Sequence, residues 1–201
     1  DETLNLYKPL LANPITRAQV KETSEKGENS GFAWLKATGY SSMRITNSTN
    51  HPELVGKYLS QIAEEKNMTG FDLVCDLIIN SEERVSITLG GINENDVQTL
   101  LKQPWNMIAS DGFYAENSTE SGGHPRSTGT FPRVLGHYVR NLEVLSLKEA
   151  IRKMTSLPAD VIGFENRGRI QNGLPADITI FNPETIIDNS TFEQPNLYAS
   201  G

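Results

Sequence analysis

Three residues in the second half of this chain carry side chains that could bind and turn over a polar substrate: Asp111, His124 and Arg126. Asp111 stands in Ser110-Asp111-Gly112, just after a short apolar run, Met107-Ile108-Ala109. His124-Pro125-Arg126 lies further along a loop rich in Gly, Ser and Asn. A carboxylate can bind a metal ion, and it can also accept a proton in one step and return it in the next. A guanidinium offers a planar fork that matches a carboxylate better than an ammonium does. Each residue also has a plainer reading. An Asp before Gly is most often a turn residue, and a loop Arg is by default a surface Arg. A lone loop His is more often a hydrogen-bonding prop than a ligand. For His124 the prop is the preferred reading, with Gly123 and Pro125 freeing and limiting the backbone on either side.

The elements that must position these groups can be read from pattern. Met107-Ile108-Ala109, bounded by Pro104 and Gly112, reads as a buried strand with Asp111 where it stops. In α/β enzymes the chemistry lies on the loops that leave the carboxyl ends of strands. Upstream, Arg84 to Leu89 alternates with β-branched residues and reads as another strand. Gly90-Gly91 turns the chain, and Asn93 caps a helix whose first turn, with Glu94 and Asp96, is acidic. Strand, helix and strand thus fall within about 30 residues, the length of a βαβ unit, so parallel pairing is expected. After the loop, Pro132 to Asn141 reads as a helix with Val134, Leu135, Tyr138 and Val139 on one side. Ser146 and Glu149 form a capping-box pattern that opens a helix through Ser156. Pro158 to Phe164 reads as one more turn, ending at Gly163. Gly168 to Ile170 and Asp177 to Phe181, joined at Asn172-Gly173, read as a β-hairpin.

The first part of the chain looks structural. Asn13-Pro14 starts a helix that Gly27 ends. Phe32 to Thr38 reads as a strand, and Tyr40 to Pro52 as polar and irregular. Leu54, Tyr58, Leu59, Ile62 and Ala63 recur at helical spacing between Glu53 and Met68. Thr69 caps a further helix whose buried face is expected at Phe71, Val74, Cys75, Ile78 and Leu77. His51 and His137 are assigned to structure or surface, Cys75 to the core, and Asp177 to structural hydrogen bonding. Arg133 and Arg140 are read as helix-surface residues. Ser41, Ser42 and Arg44 lie in a segment that could touch a substrate.

The segments SDG, HPR, GTFPRVLGHYVR, LSLKEAIRKMTSLPA and RGRIQNGLPADITIFNP, in this order, resemble the C-terminal portion of the N-acyl-D-amino-acid deacylases (D-aminoacylases). These belong to the amidohydrolase superfamily. The resemblance is dense from Asn93 to Tyr198 and continues more weakly upstream through GKYLSQIAEEKNMTGFDLVCDLI. It implies an α/β fold, the C-terminal part of a metal-dependent (β/α)8 barrel with a β-hairpin from a small β-domain built by both chain ends. By that resemblance, residues 1–83 are a mainly helical segment inserted in or flanking the barrel. Residues 84–164 are its last βα units, and residues 165–201 belong to the small β-domain. The implied activity is hydrolysis of the amide of N-acyl-D-amino acids. Asp111 is then a metal ligand that takes a proton from the attacking water and passes it to the departing amine. Arg126, supported by His124, clamps the α-carboxylate of the substrate. The implied metal is zinc, with its other ligands upstream, because no His-x-His occurs here and the chain has three scattered histidines.

Bulk composition agrees with such a protein. The chain of 201 residues carries a net charge of -7. A nucleic-acid partner is therefore not expected. No apolar run approaches the roughly 20 residues of a membrane helix. A single cysteine and the absence of a basic leader followed by an apolar segment point to the cytoplasm. Neither a phosphate-binding GxGxxG or P-loop pattern nor a GxSxG elbow is present. The chain begins with Asp and is less than half the length the resemblance implies, so a fragment is expected, inactive alone. Its strands should then pair with a companion N-terminal segment or another copy, since soluble proteins avoid bare edges. A dihydroorotase-like or hydantoinase-like cyclic amide hydrolase shares the RGRI…AD pattern but not HPR followed by GTFPRVLG.

Overall fold

The computed structural model describes residues 2–27, 30–112 and 123–201. They divide at Gly91–Ile92 into two compact units. No helix among them is long and apolar enough to cross a membrane.

The first unit opens with α1 (Glu2–Ala12), α2 (Pro14–Lys26) and α3 (Ser30–Thr38). The ends of α2 are set by local chemistry. The Asn13 side chain accepts from the amides of Ile15 and Thr16, and Gly27 closes the helix at φ 69°. β1 (Met43–Asn47) follows, then α4 (Leu59–Glu65), α5 (Gly70–Asn80) and β2 (Ser86–Leu89). β1 and β2 pair antiparallel, Met43 opposite Leu89 and Ile45 opposite Ile87, with an irregularity between Ile45 and Asn47. The other edge of β1 is also used: Ile45 donates to the Lys57 carbonyl and accepts from the Gly56 amide. Ile45 is fully buried in a core with Met43, Leu54, Leu59, Ile62, Ala63, Leu73 and Leu77. A strand buried this deeply needs both its edges satisfied.

Several expectations are corrected here. Residues 32–38 are helical, and the segment expected to be irregular contains β1, because Met43 and Ile45 find a buried face that short-range pattern does not show. The helix expected from Glu53 to Met68 is only α4. Val55 is extended and Gly56 has φ 91°, so the chain turns there to lie along β1. The Thr69 hydroxyl accepts from the Asp72 amide at 3.1 Å and caps α5 as expected. The face α5 buries is Phe71, Leu73, Cys75 and Leu77, while Val74, Ile78 and Ile79 are half-buried. The parallel βαβ pairing is not found, since the partner of β2 is β1 and the pairing is antiparallel.

The second unit contains α6 (Glu94–Leu101), capped by Asn93, and α7 (Arg126–Arg133), which runs into a π-helix, Val134–Asn141. α8 (Leu147–Met154) and α9 (Ser156–Ile162) follow, the latter closed by Gly163 at φ 86°. Leu101, Val134, Leu135, Tyr138, Leu145, Ala150 and Ile186 form its core. The helix expected from Pro132 instead starts at Arg126 and holds Pro132 inside it. Proline removes one helical donor, and the wider turns begin two residues later. The Ser146 hydroxyl accepts from the Glu149 amide at 3.2 Å, while the Glu149 carboxylate takes the Arg152 guanidinium at 2.7 and 2.8 Å.

Two expected strand regions join no ladder among the described residues. Met107-Ile108-Ala109 is one, although Ile108 packs on the core as its apolar character requires. The hairpin of residues 168–181 is the other. Its turn is present, with the Leu174 amide donating to the Gln171 carbonyl at 3.1 Å and Gly173 at φ 86°. Its arms do not pair as strands, and Ile170 and Ile180 are about nine-tenths exposed, at 89% and 92%. A two-stranded hairpin with nothing packed on its apolar side chains is marginal at best in water.

Candidate functional site

Asp111 and Arg126 meet. The Arg126 guanidinium lies 2.9 Å from an Asp111 carboxylate oxygen, and both side chains face solvent. Arg126 is the first residue of α7, so its backbone direction is set by the helix it opens. Asp111 sits at φ 46°, a left-handed conformation uncommon for a residue with a side chain. The next residue explains the close approach of the two segments. A Cβ on Gly112 would lie 2.7 Å from the Ser127 Cα, so only glycine lets this strip come against the first turn of α7. The Gly112 amide donates to the Ser110 hydroxyl at 3.2 Å.

His124 acts on the backbone. Its Nδ1 accepts the Arg126 amide at 3.1 Å. Neutral imidazole with Nδ1 accepting carries its proton on Nε2. The ring meets Phe192 edge-on at 5.2 Å. Burial lowers its pKa from the ordinary value, and the Arg126 charge lowers it further, while Asp111 opposes the shift. The start of α7 is also held from the C-terminal strip. The Ser190 hydroxyl donates to the Pro125 carbonyl at 3.0 Å, and the Thr128 hydroxyl donates to that of Leu197 at 2.8 Å.

The other candidates are placed elsewhere. Ser42 bonds to Thr38 and Gly39, and Arg44, nine-tenths buried, donates to the Gly56 carbonyl at 2.9 Å. His51 lies 3.7 Å from Glu53. These three belong to the first unit, as does the buried Cys75. In the second unit His137 packs edge-on against Tyr138. Arg133 pairs with Asp188 at 3.1 Å, Arg140 donates to the Ile186 carbonyl at 2.6 Å, and Asp177 pairs with Arg167 at 2.7 Å. Among the described residues no group of three or more His, Cys, Asp or Glu side chains gathers as a metal site. One exposed carboxylate already paired with an arginine does not fit a zinc ion on its own.

Pattern reading missed Lys153. It is fully buried, and its ammonium donates to the Gln103 and Asn106 carbonyls. The signal was available: it falls three residues after Ala150, on the helix face that α8 buries.

Residues 54–201 match the model of the amidohydrolase family, and the chain belongs to that family. Proteins of its D-aminoacylase branch are among those similar to it. A D-aminoacylase of Alcaligenes xylosoxydans xylosoxydans is 39% identical over 150 residues, which are 75% of this chain and 29% of that protein. An N-acyl-D-glutamate deacylase of the same organism is 37% identical over 163 residues, 79% of this chain and 31% of that one. The chain also superposes on the N-acyl-D-glutamate deacylase of Bordetella bronchiseptica, solved with zinc and a phosphonate that mimics the tetrahedral intermediate. There the TM-score is 0.70 at 34% identity, covering 84% of this chain and 34% of that one. The chain therefore spans about a third of the length of these relatives.

Proposed function

We propose that these residues serve an enzyme that hydrolyses the amide bond of N-acyl-D-amino acids, releasing a carboxylate and a D-amino acid. The observation that carries this reading is the meeting of Asp111 and Arg126 at 2.9 Å, which puts a proton-accepting group beside a carboxylate-binding one. Arg126 holds the α-carboxylate of the substrate through two parallel hydrogen bonds. To do so its fork must release Asp111, whose carboxylate then becomes free to act. Asp111 accepts a proton from the attacking water and delivers it to the nitrogen as the C–N bond breaks, so that water and amide balance as acid and amine. His124 keeps the Arg126 backbone in place.

In this reading the chain is the C-terminal part of a (β/α)8 barrel, and residues 165–201 contribute to a small β-domain. Zinc, if Asp111 helps to hold it, takes its remaining ligands from outside these residues. A companion N-terminal segment or a second copy pairs with the extended strips of the second unit, in the cytoplasm. The test is turnover of N-acetyl-D-amino acids against their L-enantiomers by the complete protein. Asp111→Asn should lower kcat by about a thousandfold or more with the fold intact. Turnover retained by that variant removes Asp111 from the chemistry. Arg126→Lys should mainly raise KM, and unchanged kinetics would refute the clamp.

A second reading is favoured by the exposed Ile170 and Ile180 and by the span of the chain, about a third of its relatives' length. The 201 residues by themselves form a catalytically incomplete piece. Metal content and deacylase assay of the purified chain distinguish the two, since bound zinc with turnover defeats the incomplete-piece reading.

A further inference from the structure

We propose that Lys153 is the positioning residue for Asp111, acting from α8 through the backbone of residues 103–108. The catalytic part of this proposal rests on the role given to Asp111 above. Lysine is almost never fully buried unless its charge is matched, and Lys153 has no exposed side-chain surface. Its ammonium donates to the Gln103 carbonyl and, at 3.1 Å, to the Asn106 carbonyl. A Glu149 carboxylate oxygen lies 3.8 Å away. The same residue also grips with its main chain, for its carbonyl accepts the Ile108 amide at 3.2 Å. Its neighbour Arg152 donates to the Pro104 carbonyl at 2.6 Å.

Two adjacent residues of one helix thus hold positions 103, 104, 106 and 108 of a strip that forms no ladder. The strip leaves the C-terminal end of α6, where carbonyls lack helical partners and favour cations. From Ile108 to Asp111 the chain can reach only about 10 Å. Where Ile108 is tied therefore limits where the carboxylate can lie against Arg126. An apolar side chain of the same length would fill the space at position 153 but donate nothing. The side-chain donors of α8 hold carbonyls of this strip as ladder amides hold those of a strand.

The test compares Lys153→Met and Lys153→Arg with the parent chain by amide hydrogen exchange. The methionine variant should exchange at Ile108 and its neighbours at least about tenfold faster, with the amides of α5 unchanged. The arginine variant, which keeps the donors, should recover part of that protection. Equal exchange at 104–110 in the methionine variant and the parent overturns the proposal, and so does an increase spread evenly over both units. Should the methionine variant not fold, NMR of the parent decides. Slowly exchanging Lys153 ammonium protons with contacts to Gln103 and Asn106 support the clamp, and their absence overturns it.

In the complete protein a shift of about 1 Å in a reacting group can cost a hundredfold in rate. Lys153→Met should accordingly lower kcat by about tenfold or more and leave KM within about twofold, because Arg126 still binds. A rise in KM alone contradicts positioning of Asp111. If the parent protein shows no deacylation at all, the functional reading fails, while the exchange experiment still settles whether Lys153 ties the strip.

Discussion

β1 and the 103–111 strip are both extended stretches, yet they are held in opposite ways. β1 lies between β2 on one edge and the Gly56–Lys57 backbone on the other, with Ile45 completely buried. The strip leading to Asp111 joins no ladder among the described residues, and its carbonyls take donors from Arg152 and Lys153. Further along the chain, the arms of residues 168–181 leave Ile170, Ile178 and Ile180 in solvent. In the first unit β1 is bonded along both edges, while β2 is paired on one edge only among the described residues. In the second, side-chain donors of α8 hold the carbonyls of Gln103, Pro104 and Asn106, and apolar side chains stay exposed, as Ile87 and Leu89 of β2 do in the first. A protein surface can carry scattered apolar residues, and Ile170, Ile178 and Ile180 lie on a segment that, in the function proposed above, pairs with a companion segment or a second copy.

The contrast can be broken most forcefully in the core. Ile45→Ala should destabilise the first unit by about 2–5 kcal/mol in urea unfolding, through lost burial and the cavity left behind. Ile180→Ala, the same change on an exposed arm, should shift stability by no more than about 0.5 kcal/mol. Equal effects at the two sites would mean that the arm is covered in this chain.

A smaller effect is expected at the cap of α5. Thr69→Ala should cost about 1 kcal/mol, and it also removes the hydroxyl that bonds the Asp72 carboxylate at 2.6 Å. That hydroxyl is the main reason the Asp72 carboxyl is held below its ordinary value of 3.8, and Arg17 adds to it. A lowered acid stabilises the fold above its unfolded pKa, and the contribution is lost as pH falls through the lower folded value. The slope of stability against pH below about 4 should therefore flatten in Asp72→Asn, modestly, because the pair is partly exposed.

The smallest expected effect is at His124. Its pKa is lowered from 6.5, so its neutral form is favoured by the fold. The associated stability is present above 6.5 and lost as pH falls towards the folded value. Protonation of Nδ1 removes the acceptor for the Arg126 amide. The Arg126 amide resonance should move in that range, and a resonance that does not follow the His124 titration contradicts the prop.

The caps were legible because they are local. Asn13, Thr69 and Asn93 each satisfy amides two or three residues away, and Gly27 and Gly163 close their helices at positive φ. The turn at Asn172-Gly173 was legible for the same reason. β1 was not, because its partners lie at Leu89 and Lys57 and its burial comes from helices distant in sequence. α3 was misread as a strand because a short apolar run carries no period long enough to choose between the two. Met107-Ile108-Ala109 was read as a buried, paired strand, but Met107 and Ala109 are exposed, Ile108 alone packs on the core, and the segment joins no ladder among the described residues. Its bonds go to a lysine that pattern placed only as a member of a familiar segment.

Sequence alone determined which residue types were available: a carboxylate after an apolar run, a guanidinium two positions past a histidine, and glycine where two backbones must touch. It also determined several helix ends, since capping is a matter of neighbours. Tertiary structure decided who meets whom. Asp111 and Arg126 come together because Gly112 can lie against Ser127 while α8 ties the incoming strip. Such contacts depend on shape and burial across the chain, and no short stretch of residues encodes them.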